Sequence, residues 1–338
     1  YTAEVYRGKQ KAIRHLGYYA VYVMFFPQLV AGPIERPQHL FPQLFKKHNF
    51  SWQNIYEGLR LMAWGFFKKV VIADRVGMYA DPVFNSPESI TGFSGLLALF
   101  FFSIQIYADF SGYSDIALGA SRCMGIELSI NFNRPYQASN IKSFWKRWHI
   151  SLSSWFRDYL YIPMGGNRVS PLRHKFNLMT SFALSGLWHG ASWNFLLWGV
   201  LHGGYTVGFE SFKKRFPAFK MPSVLAWLIT MLCVGVGWLF FRSVNIKHGW
   251  EFLRNSLIMR PNLNAGFFSG RELSFGLFNL GISFTFIFFM LIVEAKTDPL
   301  LLNLTRKKSV DIVLFIIVLW LIIFFGVFNR SSFIYFQF

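Results

Sequence analysis

The chain has 338 residues, of which 53% are hydrophobic, 20% aromatic and only 15% charged. A soluble globular domain usually carries about 25% charged residues, so this composition excludes an ordinary soluble enzyme and indicates an integral membrane protein. The net charge of +18 comes from basic residues scattered between apolar segments, a pattern typical of the basic loops that orient a membrane protein and attract anionic lipid heads. We therefore predict membrane lipid as a partner. Because these residues form no single basic stripe, we predict no binding of nucleic acid.

Several uncharged segments are long enough to cross a bilayer as helices. They are Leu16–Ile34, Ser89–Ala108, Met221–Phe241, Leu273–Val293 and Ile312–Asn329. Pro27 should kink or end the first of these runs. The sequence therefore predicts an all-α, multi-pass membrane protein. The chain begins at Tyr1 with no signal-peptide pattern, and we expect residues 1–338 to be one membrane domain whose earlier spans are missing.

Charged residues interrupt the apolar segment Ile55–Tyr79. Lys68 and Lys69 lie near its centre. We expect a short or tilted helix whose basic side chains extend to the membrane interface.

Two acids, Asp109 and Asp115, follow the apolar run Ser89–Ala108. Carboxylates next to a membrane span are costly unless they are paired or hydrated. They could belong to a polar cavity, but pairing with Arg122 or with a neighbouring helix is the favoured interpretation.

The segment Ser139–Ile162 has the pattern of one amphipathic helix. Aromatic and apolar residues recur in it at steps of three and four: Trp145, Trp148, Leu152, Trp155 and Tyr159. We expect a helix in the membrane interface, with His149 on it.

The segment Phe176–Phe209 contains no Lys, Arg, Asp or Glu and is flanked by basic residues on both sides. It is too long for one crossing, and basic flanks favour two short helices with both outer ends in the cytoplasm. Gly186 and Gly190 would permit the break between them. Irregular backbone at this depth is tolerated where it lines a hydrated cavity or is buried by protein.

His189 lies inside this uncharged segment. Counted from Phe176 along a helix, it would be about 20 Å deep in a hydrocarbon core about 30 Å thick, where an ionisable side chain indicates a functional site. Burial disfavours the imidazolium, so a neutral ring could act as the general base that activates a hydroxyl for attack on an acyl donor. A structural histidine that donates to a backbone carbonyl is the open alternative.

Other side chains could support this chemistry. Trp188 would limit access of water to the ring, while Ser185, Ser192 and Asn194 offer hydrogen-bonding groups. His149 could orient a substrate or assist His189, although an interfacial histidine needs no special role.

Basic residues around the histidines could bind the phosphates of a cytosolic donor, with lipid-head contact as the default. They are Lys142, Lys146, Arg147, Arg168 and Arg173. Tyr335 lies close to the C-terminus, where its phenol could reach a cavity or belong to an aromatic belt. The cysteine and histidine spacings show no metal-binding pattern, and we expect no metal.

Three motifs carry a resemblance to a known family. They are Phe25–Ile34, Phe144–Ile162 together with Gly165–Arg168, and Leu187–Asn194. These stretches resemble the membrane-bound O-acyltransferase (MBOAT) family, and in particular its bacterial branch of alginate-type polysaccharide O-acetyltransferases. The resemblance covers essentially the whole chain.

The resemblance implies a helical membrane body with a central tunnel in the inner membrane of a bacterium. His189 matches the family's catalytic histidine and His149 its second characteristic histidine. Tyr335 lies in an ending similar to C-terminal aromatic motifs whose tyrosine is proposed to carry the acyl group outward. Acetyl-CoA would be the donor substrate, with no bound cofactor. A periplasmic SGNH-type acetyltransferase would be the partner that passes the group to the polysaccharide, so that the contact with the polymer is indirect.

Two other functions stay open from the sequence. The same enzyme class could transfer D-alanine to teichoic acid from a carrier-protein thioester. A transporter or flippase could use the tunnel without chemistry, but the inverted repeats that would favour it are not evident in the sequence.

Overall fold

The computed structural model describes residues 1–86, 92–258, 276–297, 308–328 and 333, and no β-strand occurs among them. The first part contains α1 (Thr2–Tyr6), α2 (Leu16–Met24), α3 (Pro37–Leu44), α4 (Trp52–Phe66), a π-helical segment (Phe67–Ala73), α5 (Asp74–Asn85) and α6 (Phe93–Cys123). The central part contains a 3-10 turn (Pro135–Gln137), α7 (Ile141–Trp145), α8 (Ile150–Phe156), a second π-helical segment (Arg157–Tyr161), α9 (Pro171–His189) and α10 (Trp193–Arg215). The last part contains α11 (Ser223–Arg242), α12 (Ile246–Leu257), α13 (Leu277–Lys296) and α14 (Lys308–Phe325).

Within the described residues, α6, α11 and α13 are the helices long and apolar enough to cross a membrane, and α14 is a shorter apolar helix. The predicted all-α membrane protein is therefore confirmed. The apolar run Leu16–Ile34 is interrupted, as its proline predicts: α2 ends at Met24, before Pro27, so this run does not form a full span. A helix of 9 residues is about 14 Å long, too short for a hydrocarbon core about 30 Å thick.

Helix α4, the first π-helical segment and α5 follow one another without interruption and pack along α6. Lys68 and Lys69 are only 3% and 8% exposed on this surface. The expectation that they extend to the interface is wrong. Their ammonium groups lie 2.6 Å from the carboxylates of Asp115 and Asp109 on α6. The acids thus pair with a neighbouring helix as predicted, whereas Arg122 pairs with glutamates.

The predicted single helix over Ser139–Ile162 is also wrong. Helix α7 ends at Trp145, and His149 has a left-handed backbone with a φ of 43° before α8 begins. Trp148 is 2% exposed and packs against Trp238, with ring centroids 4.7 Å apart. Tertiary contacts with the protein interior therefore override the amphipathic pattern.

The uncharged segment forms the predicted pair of helices, α9 and α10, with a break at residues 190–192. Helix α9 begins at Pro171, and the Ser170 side chain accepts a hydrogen bond from the Arg173 backbone, an arrangement typical of helix starts. Gly186 lies inside α9 and does not mark the break. A Cβ at Gly186 would lie 2.2 Å from the Phe195 carbonyl oxygen, so glycine here permits the close approach of α9 and α10.

Candidate active site

A cavity of about 760 Å³ lies between the α7–α8 region and the α9–α10 pair. Its polar lining on the α7–α8 side includes Lys142, Lys146, His149, Ser153, Ser154, Arg157 and Tyr161. Asn167 lines it before α9, and the α9–α10 pair contributes Ser181, Ser185, His189, Thr206 and Glu210. This volume lies in the range of small-molecule and cofactor pockets, and both candidate catalytic histidines border it.

His189 is the last residue of α9, where Gly190 takes an extended backbone and ends the helix. Its imidazole meets the ring of Trp198 edge-on, with centroids 5.2 Å apart, and meets Phe241 at the same distance. These rings hold the imidazole on its apolar side while its other side borders the cavity. The side chain is therefore not sealed in packed protein.

His149 is 4% exposed and reaches the cavity from the break between α7 and α8. Its Nδ1 lies 3.1 Å from Oδ1 of Asn131, a side chain that is itself 1% exposed. Its ring packs edge-on against Phe110 of α6, with centroids 4.7 Å apart. The sequence does not place Asn131 beside His149, because Asn131 lies outside any helix, between α6 and α7, where residue spacing does not fix the direction of a side chain.

The ring of Trp188 contacts both histidines. Its ring centroid is 5.0 Å from that of His189 and 6.3 Å from that of His149. The Trp188 side chain is nevertheless 52% exposed, so it covers one side of the pair and does not enclose it.

The other predicted pocket residues divide into two groups. Ser185 lies one helical turn before His189 and borders the cavity. Ser192 and Asn194 do not border it. Asn194 instead donates a hydrogen bond to the Ser243 carbonyl oxygen over 2.5 Å and joins α10 to the end of α11, while Ser192 lies in the break between α9 and α10. These two residues shape the turn after the histidine.

Of the residues predicted to bind donor phosphates, Lys146 borders the cavity, together with Lys142. Arg147 and Arg168 lie outside the lining, and their contact with phosphate stays a prediction. Arg157 borders the cavity and was not singled out, although it lies on the polar side of the amphipathic pattern. The cationic side of the cavity is thus formed by residues of the α7–α8 region.

A buried amide fixes the turn that follows the second π-helical segment. Asn177 of α9 is fully buried, and its Nδ2 donates to the carbonyl oxygens of Met164 and Gly166, each at 3.1 Å. These bonds hold the turn, which includes the cavity residue Asn167, against α9.

His202 on α10 lies outside the cavity lining and is fully buried. Among the described residues, neither of its ring nitrogens meets a hydrogen-bond partner. Its ring packs edge-on against Trp145 with centroids 4.9 Å apart, and against Trp198 at 5.1 Å. It is thus a packing element behind the cavity wall.

Tyr335, the predicted acyl relay, lies outside the described residues. Phe333 is described, and its ring contacts Tyr113, with centroids 4.9 Å apart, and the ammonium of Lys69 at 4.7 Å. The described residues contain no group of three or more His, Cys, Asp or Glu side chains arranged to hold a metal ion.

Comparison with known proteins relates these motifs to one family. A model of MBOAT, the membrane-bound O-acyltransferase family, matches residues 9–247. The peptidoglycan O-acetyltransferase of Helicobacter pylori is 43% identical over 248 residues, which cover 72% of this chain and 47% of that protein. The probable alginate O-acetylase AlgI of Azotobacter vinelandii is 42% identical over 251 residues, which cover 74% of this chain and 50% of that protein.

A relative named for a different reaction is less similar in sequence. The teichoic acid D-alanyltransferase of Bacillus subtilis is 30% identical over 252 residues, which cover 67% of this chain and 61% of that protein. The chain spans about half the length of the acetyltransferase relatives it matches.

Proposed function

Because this chain belongs to the membrane-bound O-acyltransferase family, we propose that it transfers an acetyl group from acetyl-CoA towards the hydroxyl groups of an exported polysaccharide. The proposed location is the cytoplasmic (inner) membrane of a bacterium. The observation that carries the proposal is that His189 and His149 border the same cavity.

The chemistry follows from a neutral imidazole beside an open volume. In the proposed reaction, His189 accepts the proton of a hydroxyl as its oxygen attacks the thioester carbonyl. A carbon–oxygen bond forms, the carbon–sulfur bond breaks, and the thiolate leaves and takes up the proton. Lys142, Lys146 and Arg157 supply cationic groups on the α7–α8 side of the cavity, and such groups suit the phosphates of coenzyme A.

We further propose Tyr335 as the first hydroxyl acceptor. Its acetylated phenol would carry the group to a periplasmic SGNH-type transferase, which would complete the transfer to the polymer. This step rests on the resemblance of the C-terminal sequence.

The test compares His189→Ala with His15→Ala in cells that produce the intact protein. Mild alkali releases esters from the isolated cell-envelope polysaccharides, and the released acetate and D-alanine are quantified by mass spectrometry. We expect His189→Ala to lower acetate by at least 100-fold, because a general base supplies about 10²–10⁴-fold. His15 is exposed and does not line the cavity, so its variant should match wild type at equal membrane levels.

Other outcomes contradict particular parts of the proposal. Near-normal acetate in His189→Ala would exclude the imidazole as the base. Release of D-alanine that depends on His189 would favour the second candidate, which the 30% identical D-alanyltransferase supports. Full acetate in Tyr335→Phe would exclude the relay and leave the role of His189 intact.

A further inference from the structure

We infer that Asn131 is a positioning residue that fixes the tautomer of His149, so that its Nε2 accepts a hydrogen bond from a hydroxyl group in the cavity. The inference rests on the proposed acyl transfer, since it assigns a task to the second histidine of that site. The evidence for it is the set of hydrogen bonds that the side-chain amide of Asn131 makes.

The orientation of the Asn131 amide follows from its neighbours. The backbone N–H of Ser151 lies 3.3 Å from Oδ1 and can only donate, so the atom that it meets must be the carbonyl oxygen. The Ser151 hydroxyl donates to the same oxygen over 2.9 Å. On its other side, the Asn131 Nδ2 lies 3.5 Å from the Ser114 hydroxyl of α6, which is consistent with this orientation.

The tautomer of His149 follows from the amide. Because Oδ1 of Asn131 is an acceptor, the Nδ1 of His149 that lies 3.1 Å away must carry the proton and donate it. In a neutral imidazole the other nitrogen, Nε2, then holds the lone pair. A base whose second nitrogen is fixed by a third group is the general arrangement of catalytic histidines.

Asn131 also holds the backbone that carries the ring. The backbone carbonyl oxygen of Asn131 accepts a hydrogen bond from the Ile150 N–H over 2.9 Å. His149 itself takes a left-handed backbone conformation, with a φ of 43°, which is unfavourable for a residue other than glycine. Such strain persists only where surrounding contacts over-determine it, and it concentrates at functional sites.

Several charged or titratable groups share the cavity with His149. They are His189 on α9, Glu210 on α10, Lys142 and Lys146 in the α7 region, and Arg157 and Tyr161 in the second π-helical segment. On α6, Phe110 packs against the ring and Ser114 lies beside the amide partner, and neither side chain titrates near neutral pH. A new carboxylate at position 131 would therefore be the negative charge that directly contacts the Nδ1 edge of the ring.

The main test replaces Asn131 by Asp in the intact protein and measures thioester turnover by purified enzyme as a function of pH. Aspartate keeps the acceptor oxygens, but its charge stabilises the imidazolium of His149. We therefore expect the acidic limb of kcat/KM to move to higher pH, with activity on the alkaline side restored to within a few-fold of wild type. Asn131→Leu removes the acceptor and should lower kcat by roughly 10- to 100-fold, a part of what a general base supplies, with little change in the KM for the thioester.

Asn140→Asp is the matched control. Asn140 caps α7 by accepting a hydrogen bond from the Ser143 N–H over 2.8 Å, and aspartate caps helices equally well. This variant introduces the same charge away from His149, and we expect an unchanged pH profile.

The outcomes separate this inference from the proposed function. An acidic limb that stays in place in Asn131→Asp, while wild-type enzyme turns over acetyl-CoA, would overturn the role of Asn131 alone. A wild-type enzyme that turns over only a D-alanyl thioester would contradict acetyl transfer, and the same pH comparison would then be made with that donor. Equal loss of folded protein and activity in both Asn131 variants, with no change of pH profile in what remains, would show a purely structural role.

Discussion

The protein buries polar side chains in two regions, and the partners of those side chains differ between the two. In the lysine cluster (Lys68, Lys69, Asp74, Asp109, Asp115 and Glu294), each ammonium contacts two carboxylates. The Tyr107 hydroxyl adds a 2.6 Å hydrogen bond to Glu294. In the cavity, the two histidines meet aromatic rings and one neutral amide and face open volume.

The comparison separates stability from chemistry. Charges in an apolar interior are tolerated when partners surround them, but a carboxylate held by a lysine has little freedom to exchange protons with a substrate. A neutral imidazole costs less to bury and keeps a lone pair for a reacting group. Changes in the lysine cluster should therefore act on folding, and changes in the cavity should act on turnover.

The largest expected effect is the loss of unfolding free energy in Lys69→Met. This change leaves Asp109 and Asp74 without the ammonium that lies 2.6 Å and 3.0 Å from them. Breaking a buried ion pair costs about 3–5 kcal/mol, which thermal or denaturant unfolding in detergent would measure. Lys247 is 85% exposed, and Lys247→Met should leave the unfolding midpoint unchanged. An equally stable Lys69→Met protein would show that the cluster does not hold the fold together.

A smaller effect, on turnover alone, is expected from Ser185→Phe. Ser185 borders the cavity one turn before His189, so the larger ring would occupy space that the substrates need. We expect thioester turnover to fall by roughly 10- to 100-fold, equivalent to about 1.4–2.7 kcal/mol of activation free energy, while the unfolding midpoint changes little.

The matched control for that prediction is Leu187→Phe. Leu187 lies on the same helix but is 42% exposed and outside the cavity lining. Its variant should keep full turnover, and similar losses in both variants would mean that the volume beside Ser185 is not the substrate site.

The smallest effect, on unfolding free energy, is expected from Arg36→Ala. This variant tests a partly exposed ion pair beside the cavity, in contrast to the buried ion pairs of the lysine cluster. Arg36 pairs with Asp158 over 3.1 Å and lies 4.4 Å from the ring centroid of Tyr159. These contacts brace the π-helical segment that also supplies Arg157 and Tyr161 to the cavity. The pair is partly exposed, so we expect a loss of only about 1 kcal/mol in unfolding free energy, reduced further at high salt.

Arg14 is exposed, and Arg14→Ala serves as the control for Arg36→Ala. If Arg36→Ala alone lost several kcal/mol of unfolding free energy, the contacts of Arg36 with the second π-helical segment would be essential to the stability of the cavity wall.

Sequence patterns predicted those features that depend on local composition. The length, basic flanks and Gly190 of Phe176–Phe209 indicate two helices, and the structure places the break directly after His189. The apolar runs that became α6, α11 and α13 were identifiable from length and hydropathy. These features depend on whether each segment lies in the apolar membrane or in water.

Features that depend on distant partners could not be predicted. Lys68 was expected at the interface because the sequence does not show that Asp115 and Glu294 face it from other helices. The stripe through Trp148 predicted a continuous helix, since nothing local shows that Trp238 receives this ring. Asn131 lies outside any helix in the stretch before α7, so only the folded chain shows its contact with His149.

The position of His189 as the final residue of α9 has an electrostatic consequence. The peptide dipoles of a helix sum to a partial negative charge at its C-terminal end, which favours a cation there by about 0.3–1 kcal/mol in exposed sites and up to about 2 kcal/mol in partly buried ones. When His189 takes a proton in the proposed reaction, the positive charge forms at this end of the helix. The backbone of α9 would thus stabilise the charged ring during turnover, without any anionic side chain in the cavity having to approach it.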